Sequence, residues 1–358
     1  MKFTLRMLNP QAQLGVLTDG QATFADVVNR QLANRDVLAG IWARYGVVEP
    51  TFYGSGHHWM SHPQHFADPW LVMGYVAGNR PGMHVNSGFI QLPLFSPLDV
   101  AEKVVTIDQL TGGRFTLVAG LGWREAEFQA VGATVQERVS RFEESIELCR
   151  ALWSGEPVDV AGHYTTVRGR LGTLPIQRPH PPVVIGAQGP AGARRAARIA
   201  DGLNVSWVMS HDSYRRINDA YRDELAKRNR PAPRYWALSK FISVDDDADR
   251  AHKRLDRMAT MFDWYSGATT WVPSSVEVKI SREEESSKRT VAGSPESVRE
   301  QLLPHLREYP YTDAILTWLA PGDDPAENRE HFEYLCSQLL TPLMDDLGLP
   351  ADRRVLRV

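Results

Sequence analysis

His84–Gly132 reads HVNSGFIQLPLFSPLDVAEKVVTIDQLTGGRFTLVAGLGWREAEFQAVG. Met83–Phe89 is short and β-favouring, and Pro93 and Pro97 punctuate the loop behind it. From Pro97 the apolar period becomes helical, through Val100, Val104 and Ile107 with Ala101, Val105 and Leu110 beside them. Thr111-Gly112-Gly113 stops this helix, because glycine accepts the left-handed conformation of a C-cap. Arg114–Ala119 is a second strand, apolar enough to be buried on both faces, and Gly120, Gly122 and Trp123 open the next loop. Strand, helix and strand in this order make a βαβ crossover, which requires a parallel sheet.

The pattern extends in both directions. Lys2–Met7, Val48–Tyr53, Pro182–Ile185, Leu203–Ser206, Tyr235–Val244 and Thr312–Thr317 read as further strands. Helices are predicted over 28–45, 69–78, 138–153, 190–200, 213–228, 249–263, 295–308 and 328–340. Eight strands alternating with helices argue for a (β/α)8 barrel, in one domain over residues 1–358, with an insertion before the last strand. The competing doubly wound sheet calls for a glycine-rich fingerprint directly after strand one, where Leu8-Asn9-Pro10 stands instead. Residues 264–292, rich in Ser, Thr and charge, form an irregular stretch read as a lid or a surface insertion.

Composition narrows the function classes. The chain has 358 residues, 43% of them hydrophobic, and a formal net charge of -3. Nothing points to nucleic acid or an anionic membrane. No apolar run approaches a bilayer span, and Met1–Arg6 reads as a strand rather than a signal peptide. Cys149 and Cys336 each fall on an apolar helical face and read as buried free thiols, compatible with the cytoplasm.

In a barrel the chemistry sits on the loops after the strands. The loop after strand two carries His57, His58, His62 and His65 within nine residues. Their spacing is not a zinc signature, and no carboxylate cluster accompanies them. The other reading is an acid/base or oxyanion-stabilising histidine over a cofactor, with His57 first and His58 next. Gly186-Ala187-Gln188-Gly189 leads into Pro190 and a helix, so free amides at that N-terminus suit a phosphate. Gly120 and Gly122 let a planar ring approach the backbone. Trp123, Trp207 and Trp318 follow strands four, six and eight, either as walls of a substrate pocket or as packing residues.

A series of residues then carries a resemblance: Pro97, Ala101-Glu102, Asp108, Gly112-Gly113-Arg114, Gly120-Leu121-Gly122-Trp123, Glu127-Phe128 and Gly132. It continues through Arg138, Arg141, Glu143-Glu144, Leu152-Trp153, Gln177–Pro182, Ile185-Gly186, Ala196–Arg198 and Asp201-Gly202. In order and spacing this resembles the bacterial luciferase-like flavin monooxygenases, and related deazaflavin-dependent oxidoreductases share much of it. The resemblance implies reduced FMN as cofactor, O2 and a small organic substrate, a separate flavin reductase and a homodimer. It places the cofactor phosphate at 186–190 and a bulge with a non-proline cis peptide under the ring at Ser87-Gly88. It implies a mobile shield over the site at 264–292. Family members commonly carry Glu-His-His in the loop after strand two; Gly56-His57-His58 stands here, so the usual acid is missing.

A deazaflavin coenzyme and hydride transfer are the alternative that the resemblance leaves open. Arginine far outnumbers lysine, as in the GC-rich hosts that include deazaflavin users, and Gln188-Gly189-Pro190 is especially like the deazaflavin enzymes. Against it, Trp123 stands where those dehydrogenases place an acidic residue. A non-catalytic flavoprotein and a metal-dependent barrel hydrolase are weaker readings.

Overall fold

The computed structural model describes residues 1–8, 24–45, 47–49, 51–54, 68–205, 211–255, 290–319, 321, 325–349 and 355–357. The barrel strands are β1 (Lys2–Leu8), β2 (Val47–Glu49) with β3 (Thr51–Gly54), β4 (His84–Ser87), β6 (Phe115–Gly120), β9 (Val183–Ala187), β10 (Gly202–Val205), β11 (Tyr235–Val244) and β13 (Asp313–Leu319). Every pairing among them is parallel. The path starts on β2 and ends on β3, which are one residue apart in the chain, so the sheet closes on itself as a (β/α)8 barrel. β1 and β13 are neighbours in register from Lys2↔Asp313 to Leu8↔Leu319.

The helices between these strands are α1 (Phe24–Trp42), α2 (Pro69–Asn79), α3 (Pro97–Leu110), α4 (Glu125–Ala130), α5 (Arg138–Trp153), α6 (Pro190–Ile199), α7 (His211–Lys227) and α8 (Ala248–Lys253). Then come α9 (Pro295–Glu308), α10 (Pro325–Leu335), a π-helical turn at Cys336–Leu340 and α11 (Thr341–Asp346). Local chemistry sets their ends. Pro97 stands at the first turn of α3, and Gly112 and Gly113 follow it at φ 63° and 81°. Thr134 and Glu137 form a capping box just ahead of α5. On α5 the predicted stripe of Phe142, Ile146, Cys149 and Trp153 is buried. Both cysteines are free and buried.

Three short strands lie outside the predicted alternation. β5 (Ile90–Gln91) continues the line of β4 along the upper end of β6. β12 (Thr290–Gly293) pairs with Phe241–Val244 of β11, on the edge opposite β13 and beyond the reach of β10. This corrects the irregular reading of the last residues of 264–292; the preceding residues lie outside the described ones. β14 (Val355–Arg357) stands between β1 and β2. The hairpin of β7 (Val158–Ala161) and β8 (Thr166–Gly169) lies in the excursion after α5.

Val118, Val184, Tyr235, Ala237 and Ile315 come from four different strands and pack together with Phe89. They form the barrel interior. The opposite faces of the strands join the helices in the larger core. Among the described residues no helix is long and apolar enough to cross a membrane.

Candidate active site at the C-terminal mouth of the barrel

At the end of β4 the chain leaves the ladder. Ser87 Oγ accepts from the Val118 amide (2.7 Å) and donates to the Val118 carbonyl (3.0 Å), so its hydroxyl takes over the lost pairing. The Phe89 amide donates to the Ser87 carbonyl at 2.9 Å, closing a three-residue turn around Gly88. The expected bulge is present, but the expected cis bond is not. Ser87–Gly88 is trans, and the cis bond among the described residues is Arg178–Pro179. The unusual backbone falls one residue later, where Phe89 takes φ 73°. For an L-residue that region costs roughly 1–2 kcal/mol, so surrounding contacts hold it there.

Those contacts are with two of the predicted glycines. A Cβ on Gly186 would meet the Phe89 ring at 2.0 Å, and one on Gly120 would meet Phe89 Cβ at 3.8 Å and its ring at 4.0 Å. Phe89, Gly120 and Gly186 therefore make a flat wall at the upper interior. Below it, Asn86 is 0% exposed, and neither its amide oxygen nor its amide nitrogen has a hydrogen-bond partner. Asn86 pairs with Thr116, two residues from the interior Val118, so its side chain shares the inward face. A buried amide with both ends open is costly unless a ligand fills it. Across the barrel, Ser239 donates to Asn204 Oδ1 at 3.0 Å.

β9 delivers the chain to α6 as predicted. Gly189 is the extended N-cap residue, no side chain caps the helix, and Pro190 begins it. A Cβ on Gly189 would meet nothing within 4 Å, so the space before these amides is open. Ala187 is part of the core, while Gln188 is exposed at the turn. This end fits an anionic phosphate, and the wall and open amide fit a planar ring with polar edges.

The loop after β6 supplies the charge. Trp123 is half-buried under the Arg124 guanidinium, 4.7 Å from the ring centroid. Arg124 also faces Glu127 at 3.9 Å. Glu127 is buried, and burial pushes its carboxyl up to about 7 against the opposing pull of Arg124. A carboxyl poised there can hold or release a proton near neutral pH.

Trp318 is placed differently from the predicted pocket position. Ile315 faces the interior, and Trp318, three residues on, faces outward. Its ring stacks on His331 of α10 at 5.4 Å, and its indole N–H donates to His331 Nδ1 at 2.9 Å. His57, His58 and Trp207 lie outside the described residues, as does 264–289. Asn86, Phe89 and Glu127 were not among the predicted site residues. Asn86 adjoins the predicted Ser87-Gly88, and Glu127 belongs to the series of residues that carries the resemblance.

Known proteins carry the same architecture. The monooxygenase RslO1 from Streptomyces bottropensis superposes with a TM-score of 0.71 at 19% identity, covering 95% of this chain and 98% of that one, a likeness of fold. An F420-dependent glucose-6-phosphate dehydrogenase from Rhodococcus erythropolis is 30% identical over 257 residues, 67% of this chain and 73% of that protein. An FMNH2-dependent dimethylsulfone monooxygenase from Pseudomonas putida is 34% identical over 111 residues, 30% of this chain and 31% of that protein. The sequence profile described as luciferase-like monooxygenase matches residues 52–312, well over half of the chain. The chain belongs to the luciferase-like monooxygenase family, whose relatives include both FMN-dependent monooxygenases and F420-dependent oxidoreductases.

Proposed function

We propose that the protein is the oxygenating half of a two-component monooxygenase. Reduced FMN comes from a separate reductase, O2 is the oxidant, and a small organic molecule is hydroxylated or receives an inserted oxygen. The observation that carries this reading is the open, uncapped N-terminus of α6 beside the flat wall of Phe89, Gly120 and Gly186. When bound, reduced FMN supplies the oxygen chemistry, and the protein supplies position and shielding. Amides at the start of α6 hold the phosphate, and Gln188 and Gly189 shape its approach. Ser87 and Gly88 set the turn beneath the ring, and the open amide of Asn86 bonds its polar edge. Gly122 gives the loop room, and Trp123 walls the substrate side. His57, or His58 as the next candidate, manages the proton, and Trp207 lines the rim. Residues 264–289 shield the site from water. The enzyme works as a homodimer in the cytoplasm.

A second reading, deazaflavin-dependent hydride transfer, is favoured by the F420-dependent relatives and by Gln188-Gly189-Pro190. Trp123 favours the first, because an indole cannot exchange a proton as a carboxyl group at that position would. The test uses purified protein, FMN, NADH, a general flavin reductase and a panel of small substrates under 18O2. Label in a product supports the monooxygenase. Substrate oxidation that proceeds only with the deazaflavin coenzyme, and without label, overturns it.

A further inference from the structure

Outside the barrel, α7 and α9 bring together three side chains that the proposed function does not use. His211 opens α7, while His305 and Glu308 stand three residues apart on α9 and so share a face. One ligand atom from each lies within 4.8 Å of the others. The two imidazoles meet edge to face, 4.0 Å between centroids. Glu308 divides its oxygens. One accepts from Arg215 Nε, and the other faces His211 Nε2 at 3.9 Å. That distance is too long for a hydrogen bond, so carboxylate and imidazole face each other across a gap. His211 Nδ1 is buried without a partner. Burial is the largest cause pushing both histidines down, His305 to about 4.

We propose that His211, His305 and Glu308 form a site for one divalent transition-metal ion of the zinc, cobalt and nickel class. Two imidazoles and one carboxylate are the donor set of these borderline ions, whereas calcium and magnesium prefer oxygen throughout. The hydrogen bond from Arg215 orients the carboxylate and leaves its other oxygen for the ion. Solvent completes the shell. The ion clips α7 to α9, the helix that leads into β13. Two cations oppose it, and both act on both histidines: Arg215, which is paired with Glu308, and the buried ammonium of Lys240, which lies over Tyr214 at 4.3 Å.

The test is titration of tag-free, EDTA-treated and dialysed full-length protein with Co2+, followed by visible absorption and by melting. The expected result is one ion per chain with ligand-field bands and a raised melting temperature. His305→Ala and Glu308→Gln each weaken binding by about tenfold or more. Lys240→Met, which removes one of the two opposing charges, tightens it. Far-UV circular dichroism confirms that each variant is folded. Wild-type affinity in both His305→Ala and Glu308→Gln overturns the proposal. So does absence of Co2+ binding, or a loss that follows His57→Ala and His58→Ala in the histidine-rich loop instead.

Discussion

The ring of Phe89 fills the space where any side chain on Gly186 would stand: a Cβ built there lies 2.0 Å from Phe89 Cε1. The two residues are almost a hundred positions apart, yet each fixes the other. Phe89 keeps its left-handed backbone because its ring is seated, and position 186 stays glycine because the ring is there. Gly186→Ala should therefore cost about 1–3 kcal/mol, the usual range for overpacking a core. In a Phe89→Ala background the same change should cost almost nothing. Urea unfolding of the four proteins of the cycle measures the coupling. Equal costs in both backgrounds would contradict the contact.

Gly189 is the opposite case. Its backbone is extended and the space beside it is empty, so Gly189→Val should leave the fold and melting temperature unchanged. The new side chain stands in front of the α6 amides. FMN binding should weaken at least tenfold, about 1.4 kcal/mol. Unchanged FMN affinity in the folded variant removes the phosphate from this helix.

Trp318 supports the helix layer, so its loss should show in stability and not in binding. His331 Nδ1 accepts from the indole, and Nε2, which carries the proton, donates to the Val244 carbonyl at 2.7 Å. Trp318→Phe leaves Nδ1 unpaired and should cost about 1–3 kcal/mol. FMN affinity should match the wild type. A variant of normal stability with weak FMN binding would return Trp318 to the pocket.

Glu127 gives a signature in pH. Its native carboxyl holds a proton up to about 7, against roughly 4.3 for an unfolded glutamate. Between those values the native state binds more protons, so wild-type stability falls as pH rises through the window. Glu127→Gln stays neutral throughout. The melting temperature of the variant minus that of the wild type should therefore grow from pH 5 to pH 8. A difference that stays flat across that range rules out the raised carboxyl.

His57→Ala should fold and retain FMN, yet turn over roughly 10²–10⁴ times more slowly, the usual worth of general acid/base help. It should also release more hydrogen peroxide per product. Melting temperature, FMN affinity and product-to-peroxide ratio on one preparation separate this from a loop-holding role. Normal rate and coupling would pass the proton to His58.

Elements with strong local ends were legible in the sequence. Arg138–Trp153, Tyr235–Val244 and Pro295–Glu308 have the predicted bounds, the last despite Pro304 inside it. β12 and β14 were not legible, because each exists only where distant strands leave an edge free. Nor was the turn at Phe89, since neither glycine nor asparagine marks that position. Trp318 could have been read correctly: alternation along β13 sets it opposite to Ile315. Several residues that carried the resemblance hold the scaffold. The Asp108 carboxylate accepts from the Ile176 and Gln177 amides and from Gln177 Nε2. Glu144 accepts from the amides of His163, Tyr164 and Thr165. Such residues mark the family without marking its cofactor.

The cofactor is the central claim, and anaerobic titration tests it most directly. Wild type and Gly189→Val are titrated with reduced FMN and, separately, with the deazaflavin coenzyme, and followed by fluorescence. One reduced FMN should saturate each wild-type chain, binding should weaken in Gly189→Val, and the deazaflavin should not compete. Saturation by the deazaflavin coenzyme that reduced FMN cannot displace would contradict it.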